Sequence, residues 1–219
     1  MALPFFYKED STTSSTQIIL DENTSKHIVQ VLRMHNGEQL QLTNGKGGLF
    51  ICEIIDDNRK KCVVKILNHS LLPPHNLTIS IAISLLKNTT RFEWFLEKAS
   101  EIGISEITPI ICERSERKFL NEKRLQKVLV SAMKQSLKSH LPILNPVVTL
   151  KEFFQKDFKD ELFIAHCEEE PNKNLLLNSI KPKSSSIILI GPEGDFSFSE
   201  IENSLQKGYT PITLGKARL

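Results

Sequence analysis

Short apolar runs broken by polar turns fill the first third of the chain, and longer runs with helical spacing follow. Gln17-Ile18-Ile19-Leu20, Glu38 to Thr43, Leu49 to Ile55 and Cys62 to Leu67 favour β-strands, with Asn44-Gly45-Lys46-Gly47-Gly48 as a hairpin turn between two of them. One helix interrupts: Thr24 or Ser25 can cap it, and Ile28, Val31 and Leu32 form its apolar stripe before Gly37. Several strands and one helix in about 70 residues predict a small barrel. Pro73-Pro74 cannot continue a ladder, which divides the chain into 1–72 and 73–219.

Beyond the prolines the period changes. Leu77 to Leu85 is a continuous apolar run, as expected for a strand buried on both faces. Thr89 or Thr90 opens a helix with Phe92, Phe95, Leu96, Ala99 and Ile102 at helical spacing, closed by Gly103. A strand (107–111), a helix (122–139), strands at 162–165 and 187–190, a helix (199–207) and a strand (212–214) complete the reading. Such alternation predicts an α/β fold with a mostly parallel sheet.

With 40% hydrophobic and 25% charged residues, the 219-residue chain has an ordinary globular composition. The first residues lack a basic n-region, and no apolar stretch approaches the roughly 20 residues of a membrane span, so a cytoplasmic protein is expected. Cys52, Cys62, Cys112 and Cys167 are scattered and read as small buried apolar residues, and no His/Cys cluster suggests a metal.

The net charge of +2 hides a local excess. Arg114, Arg117, Lys118, Lys123, Arg124, Lys127, Lys134 and Lys138 face only Glu116 and Glu122 within one stretch. This suits either a phosphate backbone or a solvated helix face.

The sharpest local feature is Ile187-Ile188-Leu189-Ile190-Gly191-Pro192-Glu193-Gly194-Asp195-Phe196-Ser197. A buried strand runs into a loop with two glycines, then into a helix that Ser197 or Ser199 can cap. Ligands of open α/β sheets bind at the carboxyl ends of strands, where glycines let a backbone approach closely. Neither a phosphate-binding G-x-x-x-x-G-K-[ST] nor a G-x-G-x-x-G turn is present, which leaves a ligand without phosphates, or a bare turn whose glycines only satisfy positive φ. Leu214-Gly215 and Ala165-His166 end two further strands that can line the same edge.

These motifs resemble the RsmE family, N3-uridine methyltransferases of 16S ribosomal RNA within the knotted SPOUT superfamily. Gly191-Pro192-Glu193-Gly194, Phe196-Ser197, Glu200 and Leu214-Gly215 look like its C-terminal signature. His27-Ile28-Val29-Gln30-Val31-Leu32-Arg33 is similar to its H-x-x-x-V-L-R helix, and Lys87, Arg91, Glu97-Lys98 and Glu101-x-Gly103 to its second block. Arg114-Ser115 and Lys134-Gln135-Ser136 with Pro142 match two more. Order and spacing hold over essentially the whole length.

The resemblance implies an N-terminal PUA-like β-barrel (1–72) and a trefoil-knotted SPOUT methyltransferase domain (73–219) working as a homodimer on 16S rRNA or the small ribosomal subunit. It implies S-adenosylmethionine held by His166, Ile190, Gly191, Pro192, Glu193, Gly194, Leu214, Gly215 and Leu219. Arg91 and Gln135 are the expected catalytic side chains, with no general base assigned; Arg33, Arg114, Arg117, Lys118, Arg124 and Lys134 are expected on RNA. In two places the chain departs from the family. The family usually has glycine where Asp195 stands, so this carboxylate is expected to restrict the backbone or to touch ligand. The family also continues past the position of Leu219 with an R-T-E-T-A segment and a helix through the knot. Two alternatives stay open: a non-catalytic RNA-binding protein, and a SPOUT methyltransferase of another RNA or position.

Overall fold

Alternating burial along Gly48–Asp56 shows how the first third folds: Phe50, Cys52 and Ile54 are fully buried, and the residues between them are not. The computed structural model describes residues 3–74, 76–168 and 173–215. In it β1 (Phe5–Tyr7), β2 (Gln17–Ile19), β3 (Gln39–Thr43), β4 (Gly48–Asp56) and β5 (Val63–Leu71) form a sheet ordered β1-β3-β4-β5-β2. Leu40, Leu42, Phe50, Ile54 and Val64 fill one core with Ile28 and Phe6. The side-chain period of two is what places them on a common side.

The helix of this unit departs from its predicted form. Asp21, not Thr24 or Ser25, is the cap, accepting from the amides of Asn23 (3.0 Å) and Thr24 (3.1 Å). After α1 (Glu22–Lys26) the chain widens into a π-turn, His27–Val31. Its i→i+5 bonding turns the apolar stripe away from the helical period. Ile28 is therefore buried, whereas Val31 is 68% and Leu32 42% exposed. Arg33 follows in left-handed backbone, φ +56.

By its contacts the chain divides into Met1–Pro74 with Val130–Leu141, and His75–Leu129 with Pro142–Leu219. The 130–141 segment joins the first unit through hydrogen bonds that no local pattern reveals. Gly47 donates to the Ser139 carbonyl (2.9 Å), and Leu141 donates to that of Gly45 (2.8 Å). Gly47 has φ +91, and a Cβ there would run into the Leu72 carbonyl oxygen. Gly47→Ala is therefore expected to lower stability by about 2 kcal/mol or more, read by urea unfolding. An unchanged midpoint would show that the turn relaxes freely.

The second unit is a parallel sheet. Its strands are β6 (Ile79–Ser84), β7 (Glu106–Ile111), β8 (Ile143–Leu144), β9 (Val148–Thr149), β10 (Glu161–Ala165), β11 (Asn174–Leu175), β12 (Ser186–Ile190) and β13 (Thr210–Thr213). The order is β11-β13-β10-β12-β6-β7-β8, with β9 also on β7. Every pairing between these strands is parallel. Helices α2 (Thr89–Ile102), α3 (Glu122–Gln135), α4 (Leu150–Phe153), α5 (Leu176–Ser179) and α6 (Phe198–Gln206) connect them, α3 running on into the 130–141 segment. Asn88 caps α2 by accepting from Thr90 N–H (2.9 Å), and Gly103 ends it with φ +102. Phe92, Leu96 and Ala99 are buried as the spacing predicts, but Ile102, in the last turn, is 78% exposed. Among the described residues no helix is long and apolar enough to cross a membrane.

From β6 the chain goes first to β7 on one side, then across to β10, β12 and β13 on the other. A reversal of this kind opens a crevice outside the carboxyl ends of the strands.

Candidate active site

The three turns singled out in the sequence leave neighbouring strands at one level. Ala165 pairs with Ile190 on one side and Ile212 on the other. His166 and Gly191 are the next residues on β10 and β12, and Leu214-Gly215 follow Ile212 by two and three positions. Parallel strands lie about 4.8 Å apart, so the three strand ends fall within about 10 Å.

The 191–197 loop is fastened to the strand ends beside it. Asp195 Oδ2 accepts from the Cys167 amide at 2.7 Å, which ties the loop to the turn after β10. Glu193 Oε1 accepts from the Lys87 amide (3.0 Å), beyond the end of β6. Arg114 Nη1 donates to the Gly194 carbonyl (2.9 Å), and Glu200 Oε1 accepts from the Glu113 amide (2.8 Å), both after β7. The other Glu200 oxygen takes the Ser197 amide while Ser197 Oγ takes that of Glu200, a capping box that starts α6. Ser197-x-x-Glu200 is a sequence signature of this motif, and it would have distinguished Ser197 from Ser199 as the cap. Lys173 closes the far side, donating to the carbonyls of His166 and Glu168. No spacing in the sequence announces that reach.

The bare-turn reading required positive φ at the glycines, and neither Gly191 nor Gly194 has it. Left-handed backbone falls at Asp195 instead, φ +61. Gly191 is glycine because the Phe196 ring lies about 3.0 Å from where a Cβ would stand. Phe196 is itself 1% exposed, part of the core beneath the loop. At Gly194 a Cβ would meet only ordinary contacts with Arg114.

The remaining expected residues are distributed as follows. His166 is buried at the end of β10. Arg91 is exposed in the first turn of α2, which follows β6 and so starts from this same edge. Gln135 and Lys134 close α3 and group with the first unit, as does Arg33. Leu219 lies outside the described residues. The basic stretch is partly engaged internally. Arg124 forms a two-pronged pair with Glu93 (2.6 and 2.9 Å), and Arg117 donates to the carbonyls of Phe119 (3.0 Å) and Lys87 (3.4 Å). Lys118, Lys123 and Lys127 are exposed. On α2, Lys98 bonds both Glu97 (3.0 Å) and Glu101 (2.9 Å), an ordinary surface pairing.

Cys52, Cys62 and Cys112 are buried as expected, and burial pushes their thiols up to about 12, 11 and 12, away from nucleophile chemistry. Cys167 corrects the expectation. It is exposed, because it lies in the turn after β10 rather than in a strand. Among the described residues no group of three or more His, Cys, Asp or Glu could hold a metal ion.

Comparison with known proteins shows the family of the chain. The RNA methyltransferase domain model matches residues 73–219, and the RNA methyltransferase PUA domain model residues 20–67. The chain is 27% identical over 197 residues to the Ribosomal RNA small subunit methyltransferase E of Rickettsia conorii, covering 90% of this chain and 80% of that protein. The Bacillus subtilis protein of the same name is 26% identical over 205 residues, covering 86% and 78%. Among solved structures, a probable rRNA-methyltransferase from Porphyromonas gingivalis superimposes with a TM-score of 0.91 at 36% identity, covering 99% of this chain and 91% of that one. A putative methyltransferase from Legionella pneumophila, solved with its cofactor SAM, gives 0.85 at 28%, covering 100% and 92%.

Proposed function

This chain belongs to the RNA methyltransferase family, and we propose that it moves the methyl group of S-adenosylmethionine to ring N3 of a uridine in 16S ribosomal RNA. The observation that carries the reading is the in-register ending of β10, β12 and β13, which sets three turns side by side at a strand-order reversal. The reading includes a trefoil knot around these turns, a closed PUA-like barrel from the first sheet, and a cytoplasmic homodimer.

The turns fit this cofactor. They offer main-chain groups and no phosphate-binding lysine motif, and Glu193, the acid at the loop's centre, accepts from a backbone amide. His166, Ile190 to Gly194, Leu214 and Gly215 would hold S-adenosylmethionine, which supplies an electrophilic methyl group on a sulfonium. The chain's part is orientation and charge. Loops fastened at four strand ends keep main-chain donors and acceptors fixed, and positioning alone contributes several kcal/mol towards such a barrier. The N3 proton must leave, to solvent, ahead of the new bond, and the negative charge it leaves on the ring spreads to the uracil oxygens until the N–C bond consumes it. Arg91, at the edge that carries the loop, donates to one of them. Bases are reached most easily where RNA is single-stranded, so the target is a splayed-out uridine.

Exposed Lys118 serves an RNA phosphate, as do Arg33 and Lys134, whereas Arg114, Arg117 and Arg124 divide their donors between RNA and the protein. Lys118→Ala is expected to reduce the salt dependence of RNA binding by about 0.7 in log–log slope. Arg124→Ala should change it less, since the Glu93 carboxylate already takes two of its donors. Equal slopes for Lys118→Ala and the parent would take Lys118 off the RNA surface.

Small-subunit particles incubated with methyl-labelled cofactor and then digested to nucleosides test the activity. The expected labelled product is N3-methyluridine from 16S rRNA. Label in another nucleoside would overturn the position, and no label in RNA would overturn the activity.

A further inference from the structure

Asp195 occupies backbone that L-residues rarely adopt, φ +61, at the point where the 191–197 loop turns into α6. A short polar side chain tolerates this conformation better than most, though less well than glycine. What the carboxylate adds is two bonds. Oδ2 accepts from the Cys167 amide at 2.7 Å, across 28 residues of chain, and Oδ1 accepts from the adjoining Phe196 amide at 2.9 Å. The Asp195 amide meanwhile donates to the Pro192 carbonyl (2.9 Å). One residue thus closes the turn after β12 and bolts it to the turn after β10.

We propose that Asp195 is a positioning residue for cofactor binding: its carboxylate fixes the main chain of His166-Cys167 against that of Gly191–Gly194, the two walls of the cradle. The inference rests on the reading of this edge as the cofactor site. Glycine at 195 would adopt the same backbone without strain but would offer the Cys167 amide no acceptor. Asparagine keeps both the tolerance of left-handed backbone and a neutral acceptor. Alanine keeps neither.

The full chain and its Asp195→Asn, Asp195→Gly and Asp195→Ala variants separate these contributions. Calorimetry with S-adenosylmethionine, steady-state kinetics on small-subunit particles, thermal melting and hydrogen exchange at the Cys167 amide are the readouts. Asp195→Gly should melt no lower than the parent, yet its Kd and KM for the cofactor should rise about tenfold, with kcat changed by no more than about twofold. Its Cys167 amide should exchange about tenfold faster or more. Asp195→Asn should restore the affinity to within about threefold of the parent and keep the amide protected. Asp195→Ala should lose affinity and also melt lower. Parental affinity and a protected Cys167 amide in Asp195→Gly would overturn the proposal. A parent that binds no cofactor would instead overturn the reading of the site, and the proposal with it.

Discussion

Arg91→Ala is expected to lower kcat about 10²- to 10³-fold, the effect of removing one donor that stabilises developing negative charge. Affinity for S-adenosylmethionine should stay within about twofold, because the predicted cradle is made by turns that do not include Arg91. Stability moves the other way. Arg91 is an exposed cation in the first turn of α2, whose first turn contains no acidic residue to offset it. A positive charge at a helix N-terminus opposes the macrodipole by about 0.3–1 kcal/mol, so the alanine variant should melt slightly higher. A residue that costs stability where it stands, on the edge that carries the candidate site, is what a functional side chain looks like. Arg91→Lys keeps the charge but not the planar fork, and should recover only part of the rate. If the loss appears in RNA affinity and its salt slope, with kcat intact, Arg91 is a phosphate contact and not a catalytic group.

Phe196→Ala is expected to reduce the unfolding free energy by about 3–5 kcal/mol. The ring is 1% exposed and lies in the core with Ile110, Cys112, Leu189 and Ile201 beneath the candidate loop. It also fills the space that makes glycine necessary at 191, with ring atoms 3.0 and 3.1 Å from a Cβ built there. Gly191→Ala alone should therefore be destabilising, and in the Phe196→Ala background it should cost much less. That non-additivity, measured by urea unfolding of the four proteins of the cycle, reports the contact between loop and core. A loss below about 1.5 kcal/mol for Phe196→Ala, or additive costs, would mean the loop is not seated on this ring.

The central strands β6, β7, β10 and β12 were legible to within about two residues, because strands buried on both faces leave continuous apolar runs. β8, β9 and β11 span two residues each and α4 and α5 four, too short to carry a period. The π-turn at His27–Val31 does not show in the spacing of apolar residues, since a helix period assumes i→i+4 bonding. Strand order was not in any local pattern, yet the side-by-side placement of the three turns depends on it. The resemblance to the RsmE family supplied what periodicity lacked there. Within the candidate site, the contacts that fasten the loop join residues 106, 80 and 28 positions apart, Lys87 with Glu193, Arg114 with Gly194, and Cys167 with Asp195. Pairings at such separations become readable only when the fold is known. The basic stretch was visible as charge, but its partition between exposed Lys118 and the inwardly engaged Arg117 and Arg124 was not.

Hydrogen–deuterium exchange of the chain with and without S-adenosylmethionine tests most directly where the methyl donor is held. Protection is expected at 166–168, 191–195 and 213–215 together, the three strand ends at once. Protection confined to the cavity of about 760 Å³ lined by Lys151, Phe154, Asn203 and Lys207, with the strand-end turns unchanged, would contradict the assignment.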